Sequence, residues 1–194
     1  IGTVNAGAIV RKNNIHDILQ PSTSGFGAFG INITGSTNCN DIEISKNILN
    51  NIVASKYSTT SLSTFVAYGI RYSAGATLQK INYNTIRMAA AVTGTVANYS
   101  NYGIALGVSG VTVSEMKNNI VVNENIGTGT FAVYTAATTN ISAGASNNNN
   151  FYAPSGNVGY YNAVARVTLG DWQGASGQDA ASFSVNPGFV STSN

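Results

Sequence analysis

Charge is nearly missing from this sequence. Nine Lys and Arg and seven Asp and Glu make up 8% of its 194 residues, about a third of the fraction usual in globular proteins. The balance is +2 and no basic run is longer than Arg11-Lys12, so no nucleic-acid partner is expected. Cysteine is as scarce. Cys39 stands alone, which excludes an intrachain disulfide and leaves packing and backbone hydrogen bonds to hold the fold; it reads as a small buried hydrophobe. No window approaches the roughly 18 uninterrupted apolar residues of a membrane-spanning helix, so membrane insertion is not expected. The chain opens at Ile1 with neither Met nor a signal-peptide pattern, as a processed protein or an excised segment would.

What is present is enough to fold. Hydrophobic residues make up 43% of the chain, with 10 Tyr and 7 Phe, which separates it from disordered low-charge sequences. The length allows one body, either a domain with a sizeable core or an elongated array of repeats.

Self-comparison finds the array. An apolar residue, two polar residues, Asn and an apolar follow-on recur at Val10-Arg11-Lys12-Asn13 before Ile15, Ile44-Ser45-Lys46-Asn47-Ile48, Ile81-Asn82-Tyr83-Asn84 before Ile86, and Met116-Lys117-Asn118-Asn119-Ile120. The Asn steps are 47 − 13 = 34, 84 − 47 = 37 and 119 − 84 = 35, and the run Asn147 to Asn150 stands where a fifth copy belongs. An aromatic, a small and a β-branched residue alternate with this motif at Phe29-Gly30-Ile31, Tyr68-Gly69-Ile70, Tyr102-Gly103-Ile104 and Phe131-Ala132-Val133. A period of this size signals a solenoid.

The repeats lack the apolar spacing of helices and alternate at every second residue, as short strands do. The expected fold is all-β, a right-handed parallel β-helix of about five rungs, in which like residues stack along the axis. Asn13, Asn47, Asn84 and Asn119 are expected to form an amide ladder at the bends, where Asn tolerates a left-handed backbone. Phe29, Tyr68, Tyr102 and Phe131 are expected to stack inside, with Gly30, Asn32, Gly69, Arg71, Gly103 and Ala105 facing out. Residues 55–64 and 89–100 read as protruding loops, the usual place for binding groups.

The repeats resemble the pectin-lyase-like superfamily of right-handed parallel β-helices. The segment from Leu169 to Val190 carries Trp172, Gly177-Gln178-Asp179, Ser182 and Pro187-Gly188-Phe189 in order, and it resembles the final turn of large secreted or cell-surface β-helix proteins of Bacteroidetes-type bacteria. That resemblance implies an extracellular setting and no particular activity. Locally, Thr168 and Asp171 can cap a short helix that puts Leu169 and Trp172 on one face. Residues 1–194 are therefore read as a single segment of a larger protein, with 165–194 as closing rung and cap. The first rung has no cap ahead of it, so additional rungs or another chain or domain are expected at its edge.

Catalysis has little to build on. Enzymes of the resembled superfamily cleave acidic polysaccharides with clustered Asp residues, and their Asn-Thr-Asp, Asp-Asp, Gly-His-Gly and Arg-Ile-Lys motifs do not occur here; Asn84-Thr85-Ile86 departs at the acidic residue. Asp41 and Glu43 form the one close acidic pair, with i, i+2 spacing on an expected strand, and read either as a metal or acid/base site or as a solvated face beside Lys46 or Lys12. His16 beside Asp17 reads as a turn residue. Tyr57 and Tyr99 are candidates for stacking on sugar rings, and Tyr134, Tyr160 and Tyr161 are further aromatics open to that role. The Thr-Gly-Thr pieces at Thr93 and Thr128 resemble flat ice-binding arrays. No catalytic residue, metal or cofactor is implied. The expectation is a noncatalytic structural or adhesive protein of the bacterial exterior; the alternatives are a carbohydrate-binding module, with a polysaccharide as ligand, or part of a lyase or hydrolase whose acids lie elsewhere.

Overall fold

The computed structural model describes residues 6–20, 27–34, 39–54, 66–73, 75–90, 100–107, 110–126 and 129–189. Strands come in triplets. The first is β1 (Ile9–Arg11), β2 (Asn14–Gln20) and β3 (Phe29–Ile33), and the second β4 (Glu43–Ser45), β5 (Ile48–Ala54) and β6 (Tyr68–Tyr72). The third is β7 (Gln79–Asn82), β8 (Thr85–Met88) and β9 (Ser100–Leu106), and the fourth β10 (Val113–Lys117), β11 (Ile120–Asn123) and β12 (Gly129–Thr135). The last is β13 (Ser146–Asn147), β14 (Asn150–Tyr152) and β15 (Asn157–Tyr161).

Each strand pairs in parallel with its counterpart one triplet on, giving three sheets, β1-β4-β7-β10-β13, β2-β5-β8-β11-β14 and β3-β6-β9-β12-β15. The chain is a parallel β-solenoid. Three triplets, from β4 to β12, are interior turns with a neighbour on both sides in every sheet. The terminal triplets are not equivalent to them, so the array is about three full turns with an incomplete one at each end instead of five equal rungs.

The corner between the first and second sheets explains the Asn motif. Lys12, Lys46, Tyr83, Asn118 and Asn148 all have φ between 56° and 57°, so the left-handed residue is the one before the ladder Asn and not the Asn itself. That turn aims each amide along the axis. Asn13 donates through Nδ2 to Oδ1 of Asn47 (2.9 Å), Asn47 to Asn84, Asn84 to Asn119 and Asn119 to Asn149 (each 3.0 Å). Every acceptor Oδ1 also takes the backbone N–H of the preceding Asn. The second Nδ2 hydrogen of Asn47, Asn84, Asn119 and Asn149 reaches back to the carbonyls of Val10, Ile44, Ile81 and Met116. A buried amide with all its groups matched is worth about 1 kcal/mol per bond and would be costly if left unpaired.

The interior is a single apolar column. Ile44, Ile81 and Met116 from the first sheet meet Leu49, Ile86, Val121 and Phe151 from the second and Ile70, Ile104 and Val133 from the third, and Cys39 is buried among them.

The aromatic stack forms, with ring centroids 5.4, 5.0 and 5.9 Å apart from Phe29 through Tyr68 and Tyr102 to Phe131. It is not inside the column. Tyr68, Tyr102 and Phe131 belong to a second buried cluster with Val66, Ala105 and Tyr134. The glycines expected to face out face in: a Cβ on Gly30, Gly69 or Gly103 would fall 2.6, 2.5 or 2.3 Å from Leu49, Ile86 or Val121 of the core. The residue pairing skips each of these positions, running from Tyr68↔Tyr102 to Ile70↔Ile104. The register stays in step across the gap, and the aromatic and the isoleucine two residues later lie in different buried clusters.

The far end is closed. β16 (Val164–Arg166) adds antiparallel to β15, and helix α1 (Leu169–Ser176) follows. Thr168 caps it by accepting the N–H of Asp171 at 3.1 Å, while Asp171 accepts the N–H of Thr168 at 3.0 Å. The bond from Thr168 holds the Asp171 carboxyl below its ordinary range. Gly177, with φ 66°, ends the helix. Trp172 is fully buried against Phe151 and Tyr161, over Gly159, where any side chain would overlap the indole.

Candidate functional site

The acidic pair read from the sequence lies about one lysine of the next turn. Asp41 lies before β4 at a corner, with φ 54°, and the fully buried Ile42 between it and Glu43 leaves both acids toward the surface. Asp41 accepts from Lys80 Nζ at 2.6 Å, and Glu43 accepts from the Ser45 hydroxyl. Lys80 pairs across the sheet with both Glu43 and Glu115. Its bond and attraction to Asp41 raise its pKa above the ordinary value. The partner is thus a lysine of the next turn, not Lys46 or Lys12. Among the described residues no three His, Cys, Asp or Glu side chains converge as a metal site.

His16 is a strand residue of β2, not a turn residue. Its Nδ1 lies 2.9 Å from Asp17 Oδ2, and Asn51 donates to Asp17 Oδ1 at 2.6 Å. Those two bonds, with Asn51 contributing more, hold the Asp17 carboxyl below its ordinary range. Tyr57 and Tyr99, most of both expected loops, and the threonines at 93, 95 and 128 lie outside the described residues. Tyr134 and Tyr160 stack on each other at 4.6 Å, and Tyr161 lies edge-on to Trp172, so these three have packing roles.

The residues that do come together are on the outer face of the second sheet. A cleft of about 260 Å³ is lined by Asn14, Ile48 and Thr85 in one row and by His16, Asn50 and Arg87 in the next, with Leu49 beneath and Phe189 at the side. Each row is a stacked register, Asn14↔Ile48↔Thr85 and His16↔Asn50↔Arg87. Arg87 is held by Glu124, Nε to Oε1 at 2.9 Å and Nη2 to Oε2 at 2.8 Å, with Nη1 3.4 Å from the side-chain Oδ1 of Asn50. The pair fixes the guanidinium and cancels its charge. The floor therefore offers hydrogen-bonding groups beside two apolar surfaces, Ile48, half exposed, and the Phe189 ring.

This cleft was within reach of the sequence. Its rows are the first and third residues after each ladder Asn, the outward positions of a strand whose second residue is Ile15, Leu49 or Ile86. Phe189 carried no such signal, because only folding brings the tail back over the sheet.

Fold and cleft together define a class, a parallel β-solenoid with a cleft of mixed polar and apolar lining on one outer sheet face. Comparison with protein-family models, curated proteins and solved structures finds no match to this chain.

Proposed function

We propose that this chain is a noncatalytic structural or adhesive β-solenoid segment of an extracellular or cell-surface bacterial protein, related to the pectin-lyase-like β-helices that its repeats resemble. One observation carries the reading. The recurrent polar side chains serve turn-to-turn hydrogen bonding, and the acids are held separately: Asp17 by Asn51, Asp41 by Lys80, Glu124 by Arg87 and Asp179 by Trp172. Such an arrangement suits a rigid displayed surface better than paired acid/base chemistry. Incubation with uronic-acid and neutral glycans, with and without Ca²⁺, is expected to yield no cleavage. Products that vanish in Asp41→Asn or Glu43→Gln would sink the noncatalytic reading.

The cleft favours carbohydrate recognition as the second reading. Two amides, a hydroxyl, an imidazole and a flanking ring are the groups a pyranose unit of a polysaccharide uses, hydroxyls against the amides and its C–H face against the ring. Titration with a panel of neutral oligosaccharides tests it. Binding that falls at least tenfold in both Asn50→Ala and Phe189→Ala supports the cleft; binding indifferent to both places recognition elsewhere.

A further inference from the structure

The cleft on the second sheet has a repeat of its own. Its two rows, Asn14↔Ile48↔Thr85 and His16↔Asn50↔Arg87, each take one residue from three successive turns, so its groups recur along the axis at the strand spacing, about 4.8 Å. Toward the closing helix the open run ends. Val122, next in register after Arg87, is buried. The side chain of Asn150 is occupied by the tail, donating to Val185 O at 2.9 Å and accepting the Val185 N–H at 3.0 Å. Further along that tail, Phe189 flanks the cleft.

The basic groups of the cleft are matched. Arg87 donates twice to Glu124, and His16 Nδ1 lies 2.9 Å from Asp17 Oδ2, so each basic side chain has a carboxylate of its own. A carboxylated ligand would add an unmatched negative charge. The Asn14 and Asn50 amides and the Thr85 hydroxyl are hydrogen-bonding groups that carry no charge, and they stand beside the apolar surfaces of Ile48 and Phe189.

The spacing selects the polymer. A chain of pyranose rings joined through equatorial bonds at C1 and C4 is extended, and it advances by nearly one strand spacing per ring. Successive rings then meet equivalent positions on successive turns. Chains joined through axial bonds curve away from a straight row. An extended peptide shows the same face only every second residue, roughly 6.6 Å, and falls out of step with the turns.

We infer that the cleft holds an uncharged, extended, β-1,4-linked glycan lying along the solenoid axis, one ring per turn. This rests on the carbohydrate reading of the cleft and adds to it the linkage, the charge and the direction of the chain. The amides and the hydroxyl meet ring hydroxyls, while Ile48 and Phe189 take the C–H faces.

The test titrates the full chain calorimetrically with β-1,4-linked glucose oligomers of two and four units and with α-1,4-linked glucose oligomers of the same lengths. A β-1,4-linked tetramer of mannuronate, which keeps the linkage and puts a carboxylate on every ring, completes the set. Affinity is expected to rise at least tenfold from two to four units in the β-linked glucose series and to stay level in the α-linked one, with the mannuronate tetramer binding more weakly than its uncharged counterpart. His16→Ala and Thr85→Ala, two turns apart, are each expected to weaken the β-linked glucose tetramer at least threefold, because only a chain along the axis reaches both. Circular dichroism checks that the variants fold, and the length, linkage and charge series on the unaltered chain is decisive without them. No gain with length, equal binding of the two linkages, tighter binding of the mannuronate or an effect of only one variant overturns the inference; loss of binding in Asn50→Ala and Phe189→Ala would then still uphold the carbohydrate reading. Binding of none of these glycans overturns both.

Discussion

Asp179 accepts the indole N–H of Trp172 at 2.8 Å, and this bond ties the closing helix to the end of the Asn ladder. The same buried carboxylate accepts from Ser146 Oγ at 2.8 Å, Asn149 Nδ2 at 2.9 Å and Ser182 Oγ at 2.6 Å. Four donors satisfy a charge that would otherwise be very costly to bury. Asp179→Asn puts an amide N–H₂ where two donors converge, and is expected to lower stability by about 3 kcal/mol or more. Urea unfolding followed by the fluorescence of Trp172, the one tryptophan, measures it. A loss under about 1 kcal/mol would mean that the carboxylate does not terminate the ladder.

Gly69 has no room for a methyl group. A Cβ would stand 2.5 Å from both Gly103 O and Ile86 Cγ2, so Gly69→Ala is expected to destabilise by about 1–3 kcal/mol as the third sheet shifts off the core. Thermal unfolding decides this. A neutral result would show that this glycine faces outward after all.

The Tyr72 hydroxyl is buried without a hydrogen-bond partner, in register with Ile33 and Leu106. Tyr72→Phe removes an unsatisfied group at constant shape and is expected to leave stability unchanged or raise it by up to about 1 kcal/mol. Destabilisation of that size in a denaturant titration would contradict the apolar surroundings.

Stability should hold across neutral pH and fall at both extremes, through pKa shifts of opposite direction. Asp171 and Asp17 have folded pKa values depressed below their ordinary 3.8, so their contribution is present above that value and is lost as pH falls through the folded one. Burial raises Tyr68 and Tyr72 above their ordinary 10.0, so theirs is complete below that value and is lost as pH rises above it. Melting temperature against pH checks both limbs, with Asp171→Asn expected to flatten the acid one and Tyr72→Phe the alkaline one.

The parallel solenoid and its amide ladder were legible because both repeat. A residue type at a constant period must stack on itself once the strands pair in parallel, so the spacing of Asn13, Asn47, Asn84 and Asn119 was enough to give the contact. The capping helix was equally local: Thr168, Asp171 and Gly177 are the start and stop chemistry of a helix wherever it occurs. The spacing of Asp41 and Glu43 was visible, but not their partner, because Lys80 belongs to the next turn and only parallel pairing brings it to Asp41.

The order of Trp172, Asp179 and Ser182 was visible in the sequence, but not that these side chains converge on one carboxylate at the end of the ladder. Period alone placed like residues over one another, since it fixes the step along the axis. Which way they point depends on the backbone within a step. Alternation put Phe29, Tyr68 and Tyr102 on the same face as Ile31, Ile70 and Ile104, and only the folded sheet, in which Leu49, Ile86 and Val121 fill the interior against Gly30, Gly69 and Gly103, placed the aromatics in a separate cluster. The return of Phe189 to the cleft is likewise tertiary, because a single tail with no repeat has no register to be read.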